Sequence, residues 1–460
     1  MTLYDRQQRV EVDQLVDDYA RSGMSRREFL RRAMIAGLSA SAASALLAAC
    51  GGGSAGTTST PKSVDLLATW GGTELDSFNA AVAPFTSQTG ISVKVESTRD
   101  LNATLTTRIQ GNNPPDIAIL PNPGKMQQLA QQNHLIALDD LVDMSKIRND
   151  YASAWINLGS YKGKLYSIFY KAANKGTIWY NPSQFQSNNF TIPKTWDDLI
   201  SLSDQIANSG KYPWSMGVAS GAASGWPGAD WIDQIFLADS GPDLYDQWVA
   251  HKIPWTHSAV KSAFQKFGQI AAGKHYINGA PQSILAGGFQ EATYAPFQNP
   301  PTAYMNYLGD FAAGFITGQF KDLQPGTGFN FFAFPTVTSQ YAGAVTGGAD
   351  LVTALKNNGA VKQLVQYLAS KQPQEIWIKR GGFTSANKSV DLSTYPDAVS
   401  KASAQMLVSA STFRFGADDL MPSQVEDAFW KGVLTYIGNP GQLDSVLSDI
   451  ESTAAQAYTS

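Results

Sequence analysis

The residues able to do covalent or metal chemistry are few, and their spacing argues against catalysis. Gly52-Gly53-Ser54-Ala55-Gly56 spells the Gly-x-Ser-x-Gly string, but no strand precedes it to form a nucleophile elbow. Gly268 to Lys274 matches the first part of a phosphate-binding loop. His275 then stands where a Ser or Thr should meet magnesium, and the segment reads as a helix end. The four histidines, 134, 251, 257 and 275, show no metal-ligand spacing, so no metal is expected. Asp139-Asp140, Asp197-Asp198 and Asp418-Asp419 are adjacent acids whose side chains diverge or cap helices. Cleaving a glycosidic bond needs two carboxylates facing each other roughly 5 to 10 Å apart. A long-range pair of that kind stays open, which keeps a secreted glycoside hydrolase as the alternative.

Cys50 is the only cysteine, so no internal disulfide can form. It ends Leu47-Ala48-Ala49-Cys50, is followed by glycine, and resembles a lipobox, whose thiol takes a diacylglyceryl group. Ahead of it, Arg26-Arg27 precede Phe29-Leu30 and a weakly apolar run from Ala33 to Ala49. Basic flank, short apolar run and small-residue cleavage site are the order of an export signal, here of twin-arginine type. The run is shorter than the roughly 20 apolar residues of a membrane span and carries Ser and Gly. Residues 1–49 are therefore expected to be a signal peptide. Residues 50–61 are expected to be a lipidated cysteine and flexible tether, placing the protein outside the cytoplasm and anchored to the membrane.

About four hundred residues follow, too many for one core and enough for two lobes. Only 16% of the chain is charged and the net charge is -4, which disfavours nucleic acid and suits an uncharged polar ligand. Val64 to Thr69, the alternation of Ile91, Val93 and Val95, and Asp116 to Leu120 read as strands. Helical stretches through Phe78 and Phe85 and over Leu101 to Ile109 lie between them, and Pro121-Asn122-Pro123-Gly124 turns into another. Strand and helix in alternation imply a mostly parallel sheet covered on both faces. Such sheets bind ligands beyond the carboxyl ends of their strands, where Trp70-Gly71-Gly72, Arg99-Asp100 and Asn122 fall.

Beyond Tyr161, Lys164 to Tyr170 and Thr177 to Tyr180 are strand-like, with Lys171 to Gly176 reading as a crossover into a second lobe. Helices are expected near Trp196 to Ala207, Trp226 to Ala238 and Ser258 to Ala272. Strands are expected near Trp214 to Val218, Ala292 to Pro296 and Phe329 to Pro335. Ala344 to Asp350 would then introduce a helix-rich C-terminal third.

Trp70-Gly71-Gly72-Thr73-Glu74-Leu75, Ser97 to Asn102, Asn113-Pro114-Pro115-Asp116-Ile117-Ala118 and Leu120 to Gly124 resemble family 1 extracellular solute-binding proteins, in the alpha-glucoside-binding branch. So do Thr177 to Pro182, Gly347-Gly348-Ala349-Asp350 and Asp418-Asp419-Leu420-Met421-Pro422. The resemblance covers essentially the whole mature chain. It implies an α/β fold of the two-lobed periplasmic-binding-protein type, with a central ligand cleft and hinge crossovers. The first lobe would hold 62–172 plus about 340–375, the second 173–339 plus about 376–460. It also implies an ABC importer's receptor, a monomer without cofactor, handing a carbohydrate to permease subunits driven by an ATPase.

A sugar needs planar groups that donate and accept in pairs along its hydroxyl edges, and aromatic rings against its C–H faces. Trp70 would stack, with Gly72 opening the backbone beside it, while Glu74 is either a ligand group or a first-turn acid. Arg99 and Asp100 would clamp hydroxyls, Asp100 doubling as a helix N-cap. Asn122, Lys175, Trp226, Trp231, Asp350, Phe383 and Asp419 complete the candidates, Asp350 being otherwise a cap for a following helix. The same fold could instead hold a polyamine, phosphate ester or peptide. A polyamine would need several cleft carboxylates and a phosphate several cations, so convergence of Lys175 and Arg99 would favour an anion.

Overall fold

Apolar runs, several of them short, form the strands of this computed structural model, which describes residues 62–459. The expected export signal and tether, with Cys50, lie outside the described residues. Among these, no helix is long and apolar enough to cross a membrane.

The first half is built as β1 (Ser63–Ala68), α1 (Gly72–Thr89), β2 (Ser92–Ser97), α2 (Leu101–Gln110), β3 (Ile117–Leu120) and α3 (Pro123–Gln131). β1 pairs in parallel with β2 and β3, as right-handed strand–helix–strand units require. β4 (Ser167–Asn174) is followed almost at once by β5 (Thr177–Tyr180). The second sheet comprises β5 with β6 (Trp214–Ser215), β7 (Met305–Tyr307) and β8 (Asn330–Ala333), in the order β8-β5-β7-β6. α4 (Trp226–Ser240) lies against it, with Trp231 packed on Trp214 and Tyr307.

β9 (Ala344–Ala354) returns to the first sheet. Along one edge it pairs antiparallel with β4, from Gly347↔Asn174 to Thr353↔Ser167. Along the other it meets β10 (Thr412–Phe415) over its first residues and β3 over its last. α5 (Ala417–Leu420) and α6 (Ser423–Gly438) follow.

Two large apolar cores result. One draws on Val64 to Ala172 and on Ala349 to Phe415, the other on Ile178 to Ala344 and on Ala417 to Ala454. A smaller cluster around Trp179, Phe289, Phe315 and Phe329 stands apart from both. The backbone passes between the cores at Asn174–Thr177, at Ala344–Ala349 and at Phe415–Ala417. Hydrogen bonds bind these passages together: Lys175 N donates to Thr346 O, and Gly416 N to Gly347 O.

Four expectations need correction. The stretch after 376 does not pack wholly with the second core, because Trp377 meets Trp70 edge-on and Thr384 O accepts from Ala172 N at the edge of β4. Residues Trp377 to Phe415 thus supply side chains to the first core. Ala292 to Pro296 is no strand but the end of a helical turn and a 3-10 turn, and the strand lies at β7 instead. The segment from Ala344 is the 11-residue strand β9, so Asp350 sits in mid-strand and caps no helix. Finally, Lys171 to Asn174 belong to β4, not to a connector.

Candidate functional site

One cleft lies between the two cores. It encloses about 850 Å³ of empty space, open mouth included. Three of its walls follow from the parallel strands of the first sheet. Thr69 and Trp70 follow β1, Arg99 follows β2, and Pro121 and Asn122 follow β3. Glu74 stands in the first turn of α1, where the helix dipole favours a carboxylate. Lys171, Ala173 and Lys175 line the floor as alternate residues along β4 and its continuation, because successive strand side chains point to opposite faces. Gly348, Ala349 and Asp350 adjoin them from β9, and a Cβ on Gly348 would stand 2.8 Å from Lys175 Cε. The second half contributes Ser220, Ala223, Trp226, Phe289, Phe311, Asp418, Asp419 and Trp430.

Each lining cation faces at least one carboxylate. Lys171 Nζ is 2.5 Å from Glu74 Oε1, and Arg99 reaches the other Glu74 oxygen at 3.9 Å. Burial works against the Lys171 ammonium, but Glu74 and Asp350 outweigh it and hold its pKa above the ordinary lysine value. Trp70 Nε1 donates to Asp350 Oδ2 at 2.9 Å. Burial raises the Asp350 carboxyl, with Lys171 opposing. On the other side Lys175 Nζ lies 2.6 Å from Asp230 Oδ1 and 3.2 Å from Asp419 Oδ2. Asn122 Nδ2 donates to Asp419 Oδ1 at 2.7 Å and also to Glu426. Trp430 Nε1 donates to Asp418 Oδ2 at 2.7 Å. Burial raises both Asp230 and Asp419, with Lys175 pulling the other way. The cations also sit over rings, Arg99 over Phe289 at 5.0 Å, Lys171 over Phe311 at 5.4 Å and Lys175 over Trp226 at 5.8 Å.

Of the twelve candidate residues, Trp70, Glu74, Arg99, Asn122, Lys175, Trp226, Asp350 and Asp419 line the cleft together. Trp70 does so differently from expectation. It is 1% exposed and wedged among Phe78, Tyr170 and Trp377, so its ring is core and its contribution is to hold Asp350. Gly72 lies beside the wall at φ 52° without lining it, a conformation that glycine adopts freely. Asp100 is turned away from the cleft lining. Its Oδ1 accepts from Ala222 N at 2.7 Å, joining the start of α2 to the loop ahead of α4, and its side chain makes no capping bond to α2. Trp231 is buried in the second core between Trp214 and Tyr307, and Phe383 packs on Tyr170 and Trp377 in the first. Neither reaches the cleft. Of the adjacent acids, Asp198 closes a capping box with Thr195, Asp139 accepts from Leu165 N, and only Asp418-Asp419 face the cleft.

Lys171, Phe289, Phe311, Asp418 and Trp430 line the cleft without having been singled out. Lys171 had a legible signal, since it precedes Lys175 by four residues, the same-face spacing of a strand. The two phenylalanines and Trp430 come from separate segments that carry no local mark.

A family profile for bacterial extracellular solute-binding proteins matches residues 80–406. The osmoprotective compounds-binding protein GgtB of Synechocystis sp. is 33% identical over 82% of this chain and 89% of its own. The alpha-glucosides-binding periplasmic protein AglE of Rhizobium meliloti is 30% identical over 82% of this chain and 83% of its own. Among solved structures, a chitin oligosaccharide binding protein superposes with TM-score 0.75 at 19% identity, over 86% of this chain and 99% of that one. The solute receptor AcbH, which prefers β-D-galactopyranose, gives 0.74 at 20% identity, over 87% and 99%. These two likenesses concern the fold.

Proposed function

Because this chain belongs to the bacterial extracellular solute-binding protein family, we propose that it is the sugar receptor of an ABC-type importer. It would capture a small neutral glycoside and deliver it to the permease. The observation that carries the ligand class is the pairing of charge in the cleft. Arg99 and Lys171 face Glu74 and Asp350, and Lys175 is held by Asp230 and Asp419. No lining cation is left over for an anionic ligand, and no lining carboxylate cluster faces solvent as a polyamine would need. What remains is a set of charged groups that accept from and donate to hydroxyls, with the rings of Trp226, Phe289, Phe311 and Trp430 for C–H faces. The names of the relatives, osmoprotective compounds and alpha-glucosides, point to the same class.

In this reading Glu74, Arg99, Lys171 and Asp350 grip one side of the ligand, and Asn122, Lys175, Asp418 and Asp419 the other. The lobes follow the two cores and meet at the three passages, which act as hinges. Cys50, lipidated, would tether the receptor outside the cytoplasm beside its permease and ATPase, as a monomer.

A thermal-shift screen of the soluble domain against mono- and disaccharides tests the ligand class. A ligand at a hundredfold its dissociation constant adds about 2.7 kcal/mol of stability. Stabilisation by a phosphate ester or polyamine, with none from sugars, would refute the proposal. Recovery of the bound sugar unchanged after long incubation separates a receptor from a glycoside hydrolase.

A further inference from the structure

Beneath the cleft floor lies a buried group of acids larger than its cations can neutralise. Asp230 and Asp233 are one turn apart on α4, Asp418 and Asp419 lie on α5, and Glu426 on α6. All five are buried. The ammonium within hydrogen-bond reach is that of Lys175, and Lys125 on α3 is the next cation facing Glu426. Asp427 on α6 adds a further acid beside Glu426. Tyr245, on the helix Pro242–Val249, and Tyr307 on β7 face the same group as neutral phenols, held well above their ordinary value by burial and by these acids.

The oxygens can be followed one by one. Asp418 accepts from Trp430 Nε1 and from Asp419 N, and Asp233 Oδ2 from Ala417 N. Asp230 Oδ2, Asp233 Oδ1 and Glu426 Oε2 are buried with no donor. One oxygen each of Asp230, Asp233 and Asp418 lies within 4.8 Å of the other two. Two free oxygens remain in that trio, with the Lys175 ammonium already on the other Asp230 oxygen. A proton shared between two carboxyls needs only two, and like charges this close do not all ionise.

We propose that Asp230, Asp233, Asp419 and Glu426 form a proton reservoir beneath the cleft, so that sugar capture releases a proton and affinity rises with pH. The inference rests on the carbohydrate reading above. Its sign follows from burial. Asp418 and Asp419 line the cleft yet are already shielded from water before a ligand arrives. A sugar therefore adds hydroxyl donors to Asp419 more than it adds dryness, and donors favour its ionised form. Burial holds Asp230, Asp233, Asp419 and Glu426 above the ordinary carboxylate range, so protons are present to be released.

Isothermal titration of the mature chain with the α-glucosides maltose, trehalose and sucrose, at pH 6, 7 and 8, tests this. Buffers of different ionisation enthalpy read the proton count. The expected result is release of up to one proton per sugar, with the dissociation constant weakening up to about tenfold per unit of acidification. D233N, a substitution outside the cleft lining, should still bind but with fewer protons and a flatter pH profile. E426Q serves the same purpose if D233N does not fold. Binding with no proton exchanged at any of the three pH values overturns the inference and leaves the receptor reading standing. An unchanged proton count in both folded variants overturns it too. If none of the three sugars binds, the α-glucoside reading falls and the coupling with it.

Discussion

Replacing Lys175 by methionine keeps most of the side chain's volume and deletes its charge. The ammonium is 2.6 Å from Asp230 Oδ1 and 3.2 Å from Asp419 Oδ2, and the side chain is 10% exposed. At an effective dielectric near 20, each contact is worth about 5 to 6 kcal/mol of attraction. The ammonium's own desolvation offsets much of that, and removing one partner of a buried pair costs about 3 to 5 kcal/mol net. That figure applies while the orphaned carboxyls stay ionised. Burial already raises both, so in mild acid they take up protons and the orphaned charge disappears. At roughly 2.1 cal/mol/K per residue over about 400 folded residues, 4 kcal/mol corresponds to about 5 °C in Tm. Melting curves of Lys175→Met against the parent, without ligand, should therefore differ by about 5 °C at pH 8.5 and by less than half of that at pH 5. An equal drop at both values, or a larger one at pH 5, would refute the idea that Lys175 neutralises acids that otherwise hold protons.

The parent protein should show the same sign. Burial, opposed by Lys175, holds Asp230 up to about 7, so the folded chain keeps a proton that the unfolded one loses around 4. This stabilisation is complete below pH 4 and disappears as pH rises through 7. At 1.36 kcal/mol per pKa unit its ceiling is about 4 kcal/mol, and Asp230→Asn should flatten the slope of Tm against pH over that window. Trp226→Ala should weaken sugar binding by roughly tenfold to a hundredfold with little change in Tm, because its ring is half-buried at the cleft. Trp231→Ala should do the reverse, costing about 3 to 5 kcal/mol of stability in the second core. Asp100→Ala removes the bond to Ala222 N and should speed sugar release several-fold, measured by stopped flow, because a charge-assisted bond between the halves is worth about 1 to 2 kcal/mol.

The parallel core of the first half was legible because each strand and helix there carries its own periodicity. β1 to β3 and α1 to α3 fall within a few residues of the stretches read from Val64 to Gly124. β9 was not, and the glycines explain why. Gly347 and Gly348 give the segment no strand pattern, because each is there to let another chain segment approach. A Cβ on Gly347 would meet Ala173 O at 2.8 Å, and one on Gly348 would meet Lys175 Cε at the same distance. A strand whose neighbours need empty space along one side loses the side chains that would identify it. Trp231 and Phe383 were misread for a related reason. Phe383 adjoins Gly382 and Trp231 follows Pro227-Gly228 by a few residues, which looks exposed in sequence, yet both rings fill core sites.

The amino-acid order by itself determined the class of fold and the strand ends that face the cleft, since these are properties of local pattern. It also placed Glu74, Arg99 and Asn122, because a residue just past a parallel strand has one direction to go. Tertiary structure alone decided which charges cancel. Lys175 meets Asp230 and Asp419 across 55 and 244 residues of chain, and Asn122 meets Glu426 across 304. Electrostatic pairing depends on distance through space, and the three passages between the cores bring those segments together.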